Sequence, residues 1–157
     1  MHVISSDLNF KRLTCLANKC CMKRLIHIMY KEDIELAKKA RLNAHSPYGK
    51  YYVGACLRCK DGTTYLGCNI ENHGIQSYCA ERTAFLKAIS EGKREFKSIA
   101  VVGAPIGEEP TEKCLPCGYC RQFISEFVDD DFTFILEDNG EIITYSLDDL
   151  LPNRFDF

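Results

Sequence analysis

Two short cysteine motifs hold the residues of this chain most suited to chemistry. Cys79-Ala80-Glu81 offers a thiol and a carboxylate, and Pro116-Cys117-Gly118-Tyr119-Cys120 offers two further thiols. Zn²⁺ favours four tetrahedral ligands, and a hydrolytic site takes three from the protein and leaves the fourth position for water. Cys79, Cys117 and Cys120 are the candidates for the three protein positions. Glu81, two residues from the first of them, can face that water as a proton carrier instead of ligating. Zinc moves the pKa of its water toward neutrality, so that attack on an electrophilic carbon becomes feasible. Three thiolates leave the site with excess negative charge, and Arg82 is placed to draw some of it away.

A thiol must lose its proton to bind zinc, and the unpaired N–H groups at a helix N-terminus favour the thiolate. The elements around both motifs fit that need. Ala80 to Glu91 reads as a helix capped by Gly92, with Cys79 at its start. Pro116 suits the opening of a second helix, from about Cys117 to Val128. Upstream, Lys31 to Ala44 repeats apolar residues at near-helical spacing (Ile34, Ala37, Ala40 or Leu42, Ala44), with acids in its first turn. Ser46-Pro47-Tyr48-Gly49 ends that helix. Tyr51–Cys59 and Thr63–Gly67 then read as strands around the Lys60-Asp61-Gly62 turn. Asn69 to Tyr78 is an aperiodic polar loop that delivers the chain to Cys79. Ser98–Gly103 reads as a strand, as do Phe132–Glu137 and Glu141–Tyr145 on either side of Asp138-Asn139-Gly140, and a short helix spans Ser146 to Leu151. The order is α-β-β-α-β-α-β-β-α. Two helices on one sheet face with adjacent N-termini would bring the three thiols together.

The chain has 157 residues, enough for one core, and a formal net charge of −2. Its basic residues form no stripe that could follow a phosphate backbone, so no nucleic-acid partner is expected. No apolar run approaches the length of roughly 18 residues needed for a membrane span, so no membrane partner is expected either. Ten cysteines concentrated at C-x-x-C spacing, without a clear secretion signal, favour reduced thiols and a cytoplasmic protein. Residues 1–29 set Lys11, Arg12, Lys19, Lys23 and Arg24 against the single acid Asp7. They read as a disordered or loosely docked extension, with a transit peptide or an internal start at Met22 or Met29 as alternatives. Residues 30–157 form the single domain.

The pattern H-x-E…P-C-x-x-C marks zinc-dependent nucleobase deaminases, and here cysteine stands at the histidine position. The wider set of residues resembles the cytidine deaminase family, in its small, free-nucleoside, homotetrameric class. The likeness is carried by Ser46-Pro47-Tyr48, Tyr51 with Val53-Gly54-Ala55, Gly67-Cys68-Asn69-Ile70-Glu71-Asn72, Cys79 to Ala84, and Pro116-Cys117-Gly118-x-Cys120-Arg121-Gln122, in order from about Lys31 to Phe155. The resemblance implies a three-layer α/β/α sandwich with a mixed five-stranded sheet. It also implies one Zn²⁺ per subunit on Cys79, Cys117 and Cys120, proton transfer by Glu81, and hydrogen bonds from Arg82 to the cysteine ligands. The reaction implied is hydrolysis of cytidine and 2′-deoxycytidine to uridine and 2′-deoxyuridine plus ammonia, in pyrimidine salvage. Asn69 and Glu71 would bind the ribose, the Ala80 backbone the base, and Tyr51 would pack on the pyrimidine. Phe155 would reach a neighbouring subunit's active site, so that tetramer and activity are coupled.

The chain also departs from the family. Tyr51 replaces a usual phenylalanine and brings a hydroxyl that needs a partner if buried. Gly49 replaces a frequent serine. The loop from Asn72 to Cys79 is one residue shorter than usual, with Ile75 near the place of a common tyrosine, and the tail beyond Phe155 is short. Other readings remain open. Cys117-x-x-Cys120 alone fits a redox pair or buried thiols, and Cys114 could close the site as a fourth ligand, making the zinc structural. Asn69 and Glu71 fit loop capping as well as ribose binding. Cytosine deamination on a polynucleotide or a nucleotide would call for a basic groove or a phosphate site, and a noncatalytic zinc module would have no use for Glu81.

Overall fold

The computed structural model describes residues 6–74 and 76–155, with side chains described from residue 21 onward. Helix α1 (Ser6–Arg41) contains the expected core helix and runs further toward the N-terminus. Residues 1–5 of the expected extension lie outside the described residues. From Ser6 onward the extension is helical, continuous with the core helix, and not irregular. No glycine or proline occurs before Pro47 to interrupt a stretch rich in Leu, Lys, Arg and Ala. Residues 21–28 are exposed, and burial begins around Met29 and Tyr30. The helix stops at Arg41, short of Ala44, because Leu42, Asn43 and Ala44 donate to the carbonyls three residues back. Leu42 is accordingly exposed and Ala40 buried.

Strands β1 (Tyr51–Cys59), β2 (Thr64–Cys68), β3 (Phe96–Pro105), β4 (Thr133–Asp138) and β5 (Glu141–Tyr145) form one sheet in the order β2-β1-β3-β4-β5. β3 and β4 are parallel and the other neighbours antiparallel, so the sheet is mixed. Alternation along β1 divides the core. Ala55, Leu57 and Cys59 face helix α2 (Ala80–Ser90), while Cys56 faces α1 through Ile34 and Ala37. Helices α3 (Gly118–Ser125) and α4 (Leu147–Leu150) lie on the α2 side, completing the three layers. A capping box between Ser146 and Asp149 starts α4.

Phe85 of α2 sits at the centre of an aromatic cluster with Phe96, Phe123, Phe127 and Phe132, at centroid distances from 4.9 to 6.3 Å. This cluster fixes α2 against α3, whose own Phe123 and Phe127 belong to it or follow it directly. Gly67 on β2 lets the start of α2 approach. A Cβ there would lie 2.2 Å from the Ala80 carbonyl and 2.6 Å from the Ala84 nitrogen. The opening of α2 therefore rests on the β2 backbone itself.

Candidate metal centre and active site

Cys79 is the N-cap of α2 and Cys117 the N-cap of α3, and neither uses its side chain to cap its helix. Cys120 lies in the first turn of α3 and is fully buried. The packing of α2 against α3 brings the three sulfurs within 4.8 Å of one another, with Cys79 and Cys117 at 3.8 Å. Two helix N-termini thus converge on one thiol trio, the environment in which thiolates are favoured. The Cys120 hydrogen bond holds the Cys79 thiol down at about 5, with Arg82 and Cys117 adding to the effect and burial opposing it. Cys120, as the donor to Cys79, is pushed upward. Soft donors of this number and closeness fit Zn²⁺, with Cys117 on the exposed side of the cluster.

Cys114 is not in the trio, which is the one such cluster among the described residues. Its thiol pairs with the Tyr51 hydroxyl, and burial pushes it up to about 11. The closed four-cysteine site therefore does not form, and the extra hydroxyl of Tyr51 has its partner.

Glu81 is 3% exposed, in the first turn of α2 beside the thiols. Burial pushes its carboxyl up to about 7, with the negative charge on Cys79 adding to the rise and a hydrogen bond from Cys120 opposing it. Arg82 Nη2 lies 3.7 Å from Cys79 Sγ and 3.3 Å from the Ser77 carbonyl, and the nearby Cys79 and Cys120 sulfurs favour the guanidinium's charge. Ala80 is fully buried as the first residue of α2.

Asn69 and Glu71 lie on the loop beyond β2, and both make local contacts. Asn69 accepts from Val53 N (2.8 Å) and donates to Tyr51 O (2.8 Å), holding the start of β1. Glu71 Oε2 accepts from Tyr48 N and Gly49 N, both at 3.0 Å, and Gly49 first, then Ser46 and Tyr48, hold its carboxyl below the usual range. A Cβ at Gly49 would lie 2.6 Å from Glu71 Oε1, so glycine here makes room for the carboxylate. The loop-capping reading of both residues is thus realised. Phe155 is exposed, with its carbonyl accepting from Gln122 Nε2 at 3.1 Å on α3. Ile75 lies outside the described residues.

The family model of the cytidine and deoxycytidylate deaminase zinc-binding region matches residues 28–136. The chain belongs to that family. It is 47% identical to a cytidine deaminase of Sporosarcina psychrophila over 76% of this chain and 85% of the relative. It is 42% identical to a cytidine deaminase of Halalkalibacterium halodurans, over 78% of this chain and 90% of the relative. Among solved structures, the cytidine deaminase of Burkholderia pseudomallei matches with a TM-score of 0.72 at 40% identity, covering 80% of this chain and 98% of that one.

Within this member of the family, three features escaped the motif reading. The Tyr78 and Tyr119 rings both lie within cation–π distance of Arg82. Cys114 meets Tyr51 beside Gly103 of β3. Arg121 donates to the Pro116 carbonyl at 2.7 Å and the Leu150 carbonyl at 2.8 Å, fastening the Cys117 loop to α4. The tyrosines flank the cysteine motifs directly in sequence, which is the one signal that pointed to them. No helix among the described residues is long and apolar enough to cross a membrane.

Proposed function

We propose that this chain hydrolyses cytidine and 2′-deoxycytidine to uridine and 2′-deoxyuridine, releasing ammonia, in cytoplasmic pyrimidine salvage. The observation that carries the reading is the buried Glu81 carboxyl beside the Cys79, Cys117 and Cys120 thiols. These three residues would hold one Zn²⁺ per subunit. When bound, the ion acidifies water and polarises it for attack on the ring carbon that bears the amino group.

Glu81 carries the protons. Its carboxyl, buried beside the thiols, is placed to take a proton from the attacking water and pass it to the adjacent ring nitrogen. The second proton of that water goes by the same route to the departing amine, so that water and cytidine leave as uridine and ammonia. Arg82 offsets the negative charge of the thiolates. Ala80, at the start of α2, presents its backbone to the base. Glu71 Oε1 and the remaining bonding capacity of the Asn69 amide face the ribose hydroxyls, while Tyr51 packs on the ring. Residues 30–157 are the catalytic unit and 1–29 an extension to it. Four subunits assemble, and Phe155 of each completes a neighbour's site.

The test is the decay of cytidine ultraviolet absorbance with zinc-loaded protein, alongside Glu81→Gln and Cys117→Ala. Glu81→Gln should retain zinc and lose about 10³-fold in turnover. Cys117→Ala should lose zinc and activity together. A zinc-loaded parent chain that leaves cytidine unchanged, or a fully active Glu81→Gln, overturns the proposal.

A further inference from the structure

We infer that Tyr78 and Tyr119 are positioning residues that clamp the Arg82 guanidinium against the thiolates of the metal site. The inference rests on the zinc site proposed above, and it concerns residues that ligate nothing and do not touch the reacting atoms.

Arg82 Cζ lies 4.9 Å from the Tyr78 ring centroid and 4.4 Å from that of Tyr119. Both distances are within the range of attraction between a cation and an aromatic face. Tyr78 immediately precedes the Cys79 ligand, and Tyr119 lies between Cys117 and Cys120. Arg82 therefore meets a ring from each ligand segment while its Nη2 donates to the Cys79 sulfur. Arg82 Nε is buried without a hydrogen-bond partner among the described residues. A guanidinium in that state is held by its aromatic neighbours, which replace water over its flat faces, and not by a complete set of polar contacts. Its Nη2 makes two contacts, 3.3 Å to Ser77 O and 3.7 Å to Cys79 Sγ, which leave the flat faces of the guanidinium to other neighbours.

Tyr119 is 69% exposed and fills no core. Packing alone gives no reason for an aromatic ring there, whereas covering Arg82 does. A clamped guanidinium keeps its positive charge beside the sulfurs continuously. A loose one swings into water, leaving the thiolates less compensated and the metal more easily lost.

The experiment follows transfer of zinc from the loaded full-length protein to a chelating azo dye. Tyr119→Leu and Tyr78→Leu should each speed transfer about tenfold. Tyr119→Phe, which keeps the ring, should match the parent. In an Arg82→Gln background Tyr119→Leu should add nothing, since there is no cation left to hold. A parent-like rate for Tyr119→Leu, or an equal effect in both backgrounds, overturns the clamp. The failure of the deaminase reading looks different, as a parent that holds zinc but leaves cytidine unchanged, with the transfer series intact. If the parent takes up no zinc, solvent exchange of the Arg82 Nε–H, read by ¹⁵N NMR, decides the matter. Protection in the parent and Tyr119→Phe with loss in Tyr119→Leu supports the clamp, and an unprotected signal in the parent overturns it.

Discussion

Glu71 shows how a loop carboxylate is held by the backbone of a neighbouring turn. Its Oε2 is committed to the Tyr48 and Gly49 amides, while Oε1 sits over Gly49 with room enough only because that residue has no Cβ. The same backbone bonds hold the carboxyl below its ordinary value of 4.5. A depressed folded-state pKa means that the stabilisation is present above the unfolded value and is lost as pH falls through the folded one. Glu71→Gln should therefore show a shallower fall in thermal midpoint than the parent between about pH 6 and about pH 3, measured by circular dichroism melts. That Cys79 and Glu81 sit together at the start of one helix was legible from their spacing. The Tyr51–Cys114 pair was not, because a hydroxyl's need for a partner can be seen in a sequence but the partner, far along the chain, cannot.

Helix α2 carries the first ligand at its N-cap and Glu81 in its first turn, so its seat on β2 sets the site. Gly67→Ala would drive a Cβ into the Ala80 carbonyl and the Ala84 nitrogen, both backbone atoms that no rotamer change can move. Overpacking of this kind costs about 1–3 kcal/mol, or more where backbone must shift. We expect the melting midpoint to fall by roughly 3–10 °C. Zinc content per chain, measured by atomic emission, should drop with it as Cys79 moves away from Cys117 and Cys120. Among the described residues, the strands and helices α2, α3 and α4 were readable from alternation, turn residues and capping signals, with ends displaced by a few residues. Helix α1 was expected only from Lys31, because the residues before it are basic and acid-poor, and it begins at Ser6. The absence of any helix breaker before Pro47 carried more weight than that change of composition.

At the scale of the whole molecule, an open groove of about 850 Å³ runs between the loop before α2 and the outer face of that helix, lined in part by Ile70, Tyr78 and Leu86. These three are exposed apolar residues on a chain whose net charge is only −2. Such a surface beside the site suits the proposed tetramer, in which subunits cover each other's apolar faces. Sedimentation should give a mass near 72 kDa, about four times that of one chain. Leu86→Asp should shift it toward smaller species and lower turnover together, because a charge buried at a subunit contact lacks a partner. A monomer of full activity would sink the coupling of assembly to catalysis.

The sequence by itself determined the three-cysteine motif pair, the carboxylate beside it and the order of elements, since each is written in neighbouring residues through spacing, alternation and caps. It also determined that two helix N-termini would carry the thiols. Only the tertiary structure decided that Cys114 stands apart from the trio, that Asn69 and Glu71 brace β1 and the turn before it, and that two tyrosine rings lie against Arg82. Those outcomes depend on the directions side chains take once α2 and α3 are packed on the sheet. Contacts between segments distant in sequence follow from that packing and leave no periodic trace in the chain.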